Sequence, residues 1–194
     1  MRGSTKGGLA ALIGSGIACV SAQPSVQDEN LLFAPPRSFK VGYQSSRDNL
    51  SMTEFVPQNE SVEDWSEMLT VQVFRHAAVE APTFLQGLGS RYMKDCPGTV
   101  VEKGRMFTGT SNGYVVAMLV LRCPNNPSTD KPETTIFRII KGNDALYSVQ
   151  HAWRLVPSDE QMAAAMKAMG NVIVCDTRTH EHLCPTFDKL TSGE

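Results

Sequence analysis

TTIFRIIKGNDALYSVQHAWR, residues Thr134–Arg154, decides the fold. Two runs rich in β-branched and aromatic side chains, Thr134–Ile140 and Ala145–Arg154, flank Lys141-Gly142-Asn143-Asp144, a strong turn signal. The stretch is expected to fold as a β-hairpin. In its second run, alternation puts Tyr147, Val149, His151 and Trp153 on one face and Gln150, Ala152 and Arg154 on the other. Upstream, Tyr114–Leu121 is apolar almost throughout, the pattern of a central strand covered on both faces. Two shorter strands, Thr99–Glu102 and Arg105–Thr108, are expected before it, and Asn112-Gly113 is a hairpin turn dipeptide.

Downstream, Ser158 and Gln161 form a capping box that opens a helix. Met162, Ala165, Met166 and Met169 line one side of that helix, and Gly170 ends it. Asn171–Cys175 is a final expected strand. A second helix is expected from Pro82 to about Met93, with Phe84, Leu85, Leu88 and Tyr92 turned inward. A third is expected to start at Ser61, with Glu63 and Asp64 in its first turn and Trp65, Met68 and Leu69 as its apolar stripe. Thr70–Phe74 fits a strand or the end of that helix. Short strands are expected near Phe39–Tyr43 and Leu50–Val56, around a polar turn at Ser45–Asp48. Hairpins dominate this order, which predicts an α+β fold: an antiparallel sheet with helices packed against it.

The first 22 residues read as an export signal. Arg2 and Lys6 precede an uncharged apolar run, Gly8–Val20, and Val20-Ser21-Ala22 offers small residues for cleavage before Gln23. Thirteen residues of apolar run are too few to span a bilayer. Residues 23–37, with Pro24, Pro35 and Pro36, read as an extended lead-in whose Leu31-Leu32-Phe33 docks on a single domain, residues 38–194. A periplasmic or secreted location is therefore expected. Gly16-Ile17-Ala18-Cys19 is a poor lipoprotein box, because glycine stands where an aliphatic residue is usual.

Removing the signal takes Cys19 with it and leaves Cys96, Cys123, Cys175 and Cys184, an even set for an oxidising compartment. The pairings Cys96–Cys123 and Cys175–Cys184 are favoured, because each closes a local loop beside a strand. The processed chain of 172 residues keeps 16 basic side chains against 20 acidic ones, a net charge of −4. No basic stripe interrupts this balance, so neither nucleic acid nor an anionic membrane is an expected partner.

No complete catalytic motif is present, and no cofactor is expected. Gly87-Leu88-Gly89 lacks the third glycine and preceding strand of a dinucleotide site. Cys175, His180, His182 and Cys184 offer two thiolates and two imidazoles, but they crowd one loop and a bridge would consume the thiolates. A disulfide with solvated histidines is the expected state there, and a small metal-binding module at His180 and His182 is the alternative. His151 reads as a packed, hydrogen-bonded residue. The enzymatic alternative is a periplasmic hydrolase that uses His151 and Arg154.

Three blocks carry a resemblance. Glu54–Gln72, Phe137–Tyr147 and Val174–Arg178 resemble uncharacterised small exported proteobacterial proteins, and the order of elements is similar to the PsbP/Mog1-like α/β/α sandwich. That layout implies binding and assembly, and it carries no catalytic residues over. The expected function is thus an exported accessory protein of the cell envelope, without catalysis, whose partner is another envelope protein. Trp65 and the Cys175–Cys184 loop, with Arg178, His180 and His182, are its expected contact residues.

Overall fold

The structure, a computed structural model, describes residues 28–102, 107–127 and 129–185. The signal, the first five residues of the lead-in (23–27), the start of the strand expected at Arg105–Thr108 and the tail beyond Pro185 lie outside the described residues. The elements follow the order β1 (Glu29–Leu32), β2 (Phe39–Arg47), β3 (Leu50–Pro57), β4 (Glu67–Arg75), α1 (Ala81–Asp95), β5 (Val100–Val101) and β6 (Phe107–Ser111). Then come β7 (Tyr114–Asn126), β8 (Lys131–Lys141), β9 (Ala145–Trp153), α2 (Asp159–Gly170) and β10 (Ile173–Asp176). The fold is α+β. The main sheet has the order β2-β3-β4-β9-β8-β7-β5, with β6 also on β7, and β1 pairs with β10 in a separate ribbon. Every described pair is antiparallel.

The β8–β9 hairpin sits at the centre of the sheet, in register from Lys141 opposite Leu146 to Thr134 opposite Trp153. β7 completes the centre, and its near-continuous apolar run serves both faces. Val116, Met118 and Val120 join the core beneath α2, with Met162, Ala165 and Met169. Ala117, Leu119 and Leu121 join the core beneath α1, with Ala81 and Leu85. The capping box forms as read: Ser158 Oγ accepts from Gln161 N–H, and the Gln161 side chain accepts from Ser158 N–H. Two disulfides staple the periphery. Cys96–Cys123 ties the end of α1 to β7, and Cys175–Cys184 closes the loop after β10.

The structure departs from the sequence reading at residues 45–47, which continue β2 through most of the expected turn, and in two further places. No helix starts at Ser61. Its Oγ accepts from Asp64 N–H, but Glu60 takes both the N–H and the hydroxyl of Ser66, each at 2.7 Å, and closes a loop instead. β4 begins at the next residue and pairs along its whole length with β9, from Glu67 opposite Trp153 to Arg75 opposite Ala145. The β-branched Thr70-Val71-Gln72-Val73 segment thus extends backwards as strand, because a central ladder position outweighs one turn of helix. The other departure concerns the lead-in: the strand expected at Asn171–Cys175 forms, but outside the main sheet. This strand, β10, pairs with β1, so the lead-in is itself β-structure.

Candidate binding cleft

Glu29 organises one face of the molecule. Its carboxylate accepts from the backbone N–H groups of Asn143 at 2.5 Å, Asp144 at 3.0 Å and Ala145 at 3.3 Å. It also accepts from the hydroxyls of Tyr114 at 3.0 Å and Tyr147 at 3.1 Å. The central hairpin turn must leave room for this group. A Cβ at Gly142 would run into the Glu29 carboxylate, so glycine lets the anchor approach this closely. Burial, and then the charge and hydrogen bonds of Glu29, raise both tyrosine hydroxyls above their ordinary value. The anchor draws residues 29–36 across the α2 face as a strap, with Leu31 and Phe33 packed against the core.

A cavity of about 610 Å³ opens on each side of the strap. One lies over β3 and β4, with Phe33, Phe55, Val71 and Val73 among its walls and Arg75 and His76 on its rim. His76 has a φ of 59°, uncommon for a residue with a side chain. Its N–H is tied to the Asp144 carbonyl at 2.9 Å. The second cavity lies between strap and α2 and is lined by Leu31, Phe33, Leu69, Met169 and His151. The opposite face holds a smaller space of about 330 Å³ beside Tyr92, Glu133 and Phe137.

His151 is 8% exposed and pairs through Nε2 with Glu67 Oε1 at 2.5 Å. Its ring stacks on Trp153 with 4.1 Å between centroids. It is therefore packed and hydrogen-bonded, yet it borders a cavity. Arg154 does not share its surroundings. The Arg154 guanidinium lies 4.3 Å above the Trp65 ring and donates to the Glu63 carbonyl at 3.2 Å. Trp65 packs with Val56, Met68 and Ala152, and Ala152 points away from the His151 face. His151 and Arg154 thus lie on opposite sides of the sheet, as alternation places them, and the structure does not bring them together. Trp65, an expected contact residue, is largely covered. At 9% exposure it is a core residue roofed by an arginine, with little left to present to a partner.

The Cys175–Cys184 loop keeps Arg178 and His180 exposed. Arg178 bonds Asp176 through Nε at 2.9 Å and one terminal nitrogen at 2.7 Å, and reaches Asp144 at 2.7 Å. These bonds hold the Asp176 carboxyl below its usual value. His182 donates from Nδ1 to the Asn112 carbonyl at 2.8 Å and stacks on Tyr114 at 3.8 Å. The loop is thereby sewn to the β6–β7 turn, where Gly113 has a φ of 82° and no space for a Cβ beside His182. With the sulfurs bridged and His182 engaged, the four side chains do not form a tetrahedral ligand set. Among the described residues no group of three or more His, Cys, Asp or Glu is placed to hold a metal.

Sequence reasoning missed Glu29 and Glu67. Glu67 carries a signal once its segment is read as strand, since alternation then sets it on the face of Leu69, Val71 and His151. Glu29 carries none, because its partners are 85 to 118 residues away.

No protein-family model matches the chain, and no curated protein matches it in sequence. Among solved structures it is similar to the Saccharomyces cerevisiae Ran-binding protein Mog1p. That match has a TM-score of 0.41 and 9% identity, over 75% of this chain and 88% of the other. It is also similar to LpqN, involved in cell envelope biogenesis of Mycobacterium tuberculosis. Here the TM-score is 0.38 and the identity 13%, over 76% of this chain and 81% of the other.

Proposed function

We propose that this chain is an exported, disulfide-stapled accessory protein of the cell envelope that acts by binding another envelope protein, with no catalytic step of its own. One observation carries the binding part. The β2–β3–β4 half of the sheet is left open on the α2 face, and only Val56 is buried along β2 and β3. Among the described residues nothing pairs with the outer edge of β2, where Val41 is 54% and Tyr43 44% exposed, an edge suited to strand addition by a partner. The apolar cavity walled by Phe55, Val71 and Val73 adjoins it. Two features support export: the basic, apolar and small-residue order of residues 1–22, and two bridges that persist in an oxidising compartment. Among the described residues no helix is long and apolar enough to cross a membrane.

The test places a photo-crosslinking residue at Tyr43 in the full chain expressed in cells, with a control at Ala163 on the exposed side of α2. A discrete protein adduct from position 43 and none from 163 is expected. Equal labelling from both removes the proposed surface. Intact mass on the purified protein should begin at Gln23, with no free thiol before reduction. An unprocessed chain with free thiols overturns the export reading.

A further inference from the structure

The cavity between strap and α2 has a different chemistry from the open sheet. We propose that it binds a neutral apolar molecule that bears a hydrogen-bond donor at one end, a long-chain alcohol being the simplest example. The donor would rest on His151, the member of the His151–Glu67 pair that lines the cavity. This reading goes beyond partner docking and needs no second chain.

Volume and walls come first. About 610 Å³ suits a small ligand, and Leu31, Phe33, Leu69 and Met169 offer apolar contact along its length. His151 and Asn171 are the only polar side chains among the described lining residues. The polar anchor is directional. Glu67 Oε1 engages Nε2, and a carboxylate accepts, so Nε2 carries a proton and the singly protonated ring has its lone pair on Nδ1. Among the described residues nothing bonds to Nδ1, and that atom is not sealed from solvent. The second oxygen of Glu67 likewise has no bonded partner among them. The stack on Trp153 fixes the ring plane. The apolar wall thus presents His151, with the Glu67 carboxylate one hydrogen bond behind it rather than in the lining. A hydroxyl satisfies the acceptor on His151, whereas an anionic head is repelled through space by the Glu67 charge behind that ring.

The test uses calorimetric titration of the processed, oxidised protein with 1-decanol and with decanoate at neutral pH. One-to-one binding of 1-decanol is expected, with decanoate at least about tenfold weaker. His151→Phe preserves the aromatic stack but removes the acceptor, and should weaken 1-decanol about tenfold. Glu67→Gln removes the charge and should narrow the alcohol-to-carboxylate ratio, a change that loss of folding does not mimic. Ala168→Phe adds bulk at an exposed lining position on α2 and should weaken both ligands. Failure of wild-type protein to bind 1-decanol saturably overturns the proposal. So does decanoate binding as tightly as 1-decanol, or binding indifferent to both His151→Phe and Glu67→Gln. The crosslinking result at Tyr43 bears on none of these outcomes.

Discussion

Beneath α1, Ala117, Leu119, Leu121, Phe137, Ile139 and Leu146 are each at most 5% exposed, and the helix seats Leu85 upon them. Beneath α2 the same strands bury their alternate residues as fully, but among the described residues the helix does not cover β3 and β4. There a strap anchored by one carboxylate stands in for a helix, and a cavity remains on each side of it. Alternation supplies apolar side chains to both faces of a sheet. Connectivity decides which face is closed. A face closed by apolar burial opens only with global unfolding, whereas one closed by polar anchors can open locally.

The largest test of this contrast compares Leu146→Ala with Phe55→Ala. Leu146 is fully buried in the α1-side core, so its truncation should cost about 3–5 kcal/mol in urea denaturation. Phe55 is half-buried on the open side and meets Phe33 at 5.9 Å, so its loss should cost about 1 kcal/mol. Equal costs would mean that the open face is a core after all.

Next come the two bridges. Cys96–Cys123 spans 27 residues and Cys175–Cys184 spans 9, so chain entropy assigns them about 3.5 and about 2.5 kcal/mol. Paired serine substitutions with denaturation midpoints check that order. Reversal would show that the loop sewn to the β6–β7 turn by His182 contributes more than its length.

Glu29→Gln follows. Five donors lose a charged acceptor, and about 2 kcal/mol of stability should go with it. Hydrogen exchange should quicken at β1 and β10 while β7 and β8 stay protected. Gly142→Ala should produce the same local pattern without altering charge, because its Cβ displaces the carboxylate. Uniform loss of protection across both faces would refute local opening.

The parts legible in sequence are those whose signal is short-range. The central hairpin, the β7 run and the Ser158–Gln161 capping box all rest on neighbours within a few residues. The Ser61 helix failed because Ser61, Glu63 and Asp64 satisfy local capping preferences equally well in a turn, and pairing with β9 decides the outcome. Of the candidate site, His151 was legible as a packed residue, but its cavity was not. That cavity needs Glu67 in strand register and a strap brought from residue 29, both products of distant pairing.

The smallest expected effect separates the faces by pH. Burial raises the hydroxyls of Tyr114 and Tyr147 on the α2 side and of Tyr92 on the α1 side above the ordinary value. Their protonated forms are favoured in the fold, so this contribution is fully present below the unfolded tyrosine value of about 10. It is lost as pH rises above that value toward the folded ones. Stability should therefore fall between pH 9 and 11 beyond what the other groups impose. Tyr114 and Tyr147 are raised in part by Glu29, whereas Tyr92 is raised in part by Glu133. Glu29→Gln should accordingly make the alkaline fall shallower, and Tyr92→Phe should remove a further, independent share. Denaturation midpoints at the two pH values, in the single and double variants, measure both. Additive effects fit two faces that titrate separately. A double variant no shallower than Glu29→Gln alone would mean that the anchor governs both faces, and the contrast between them would fail.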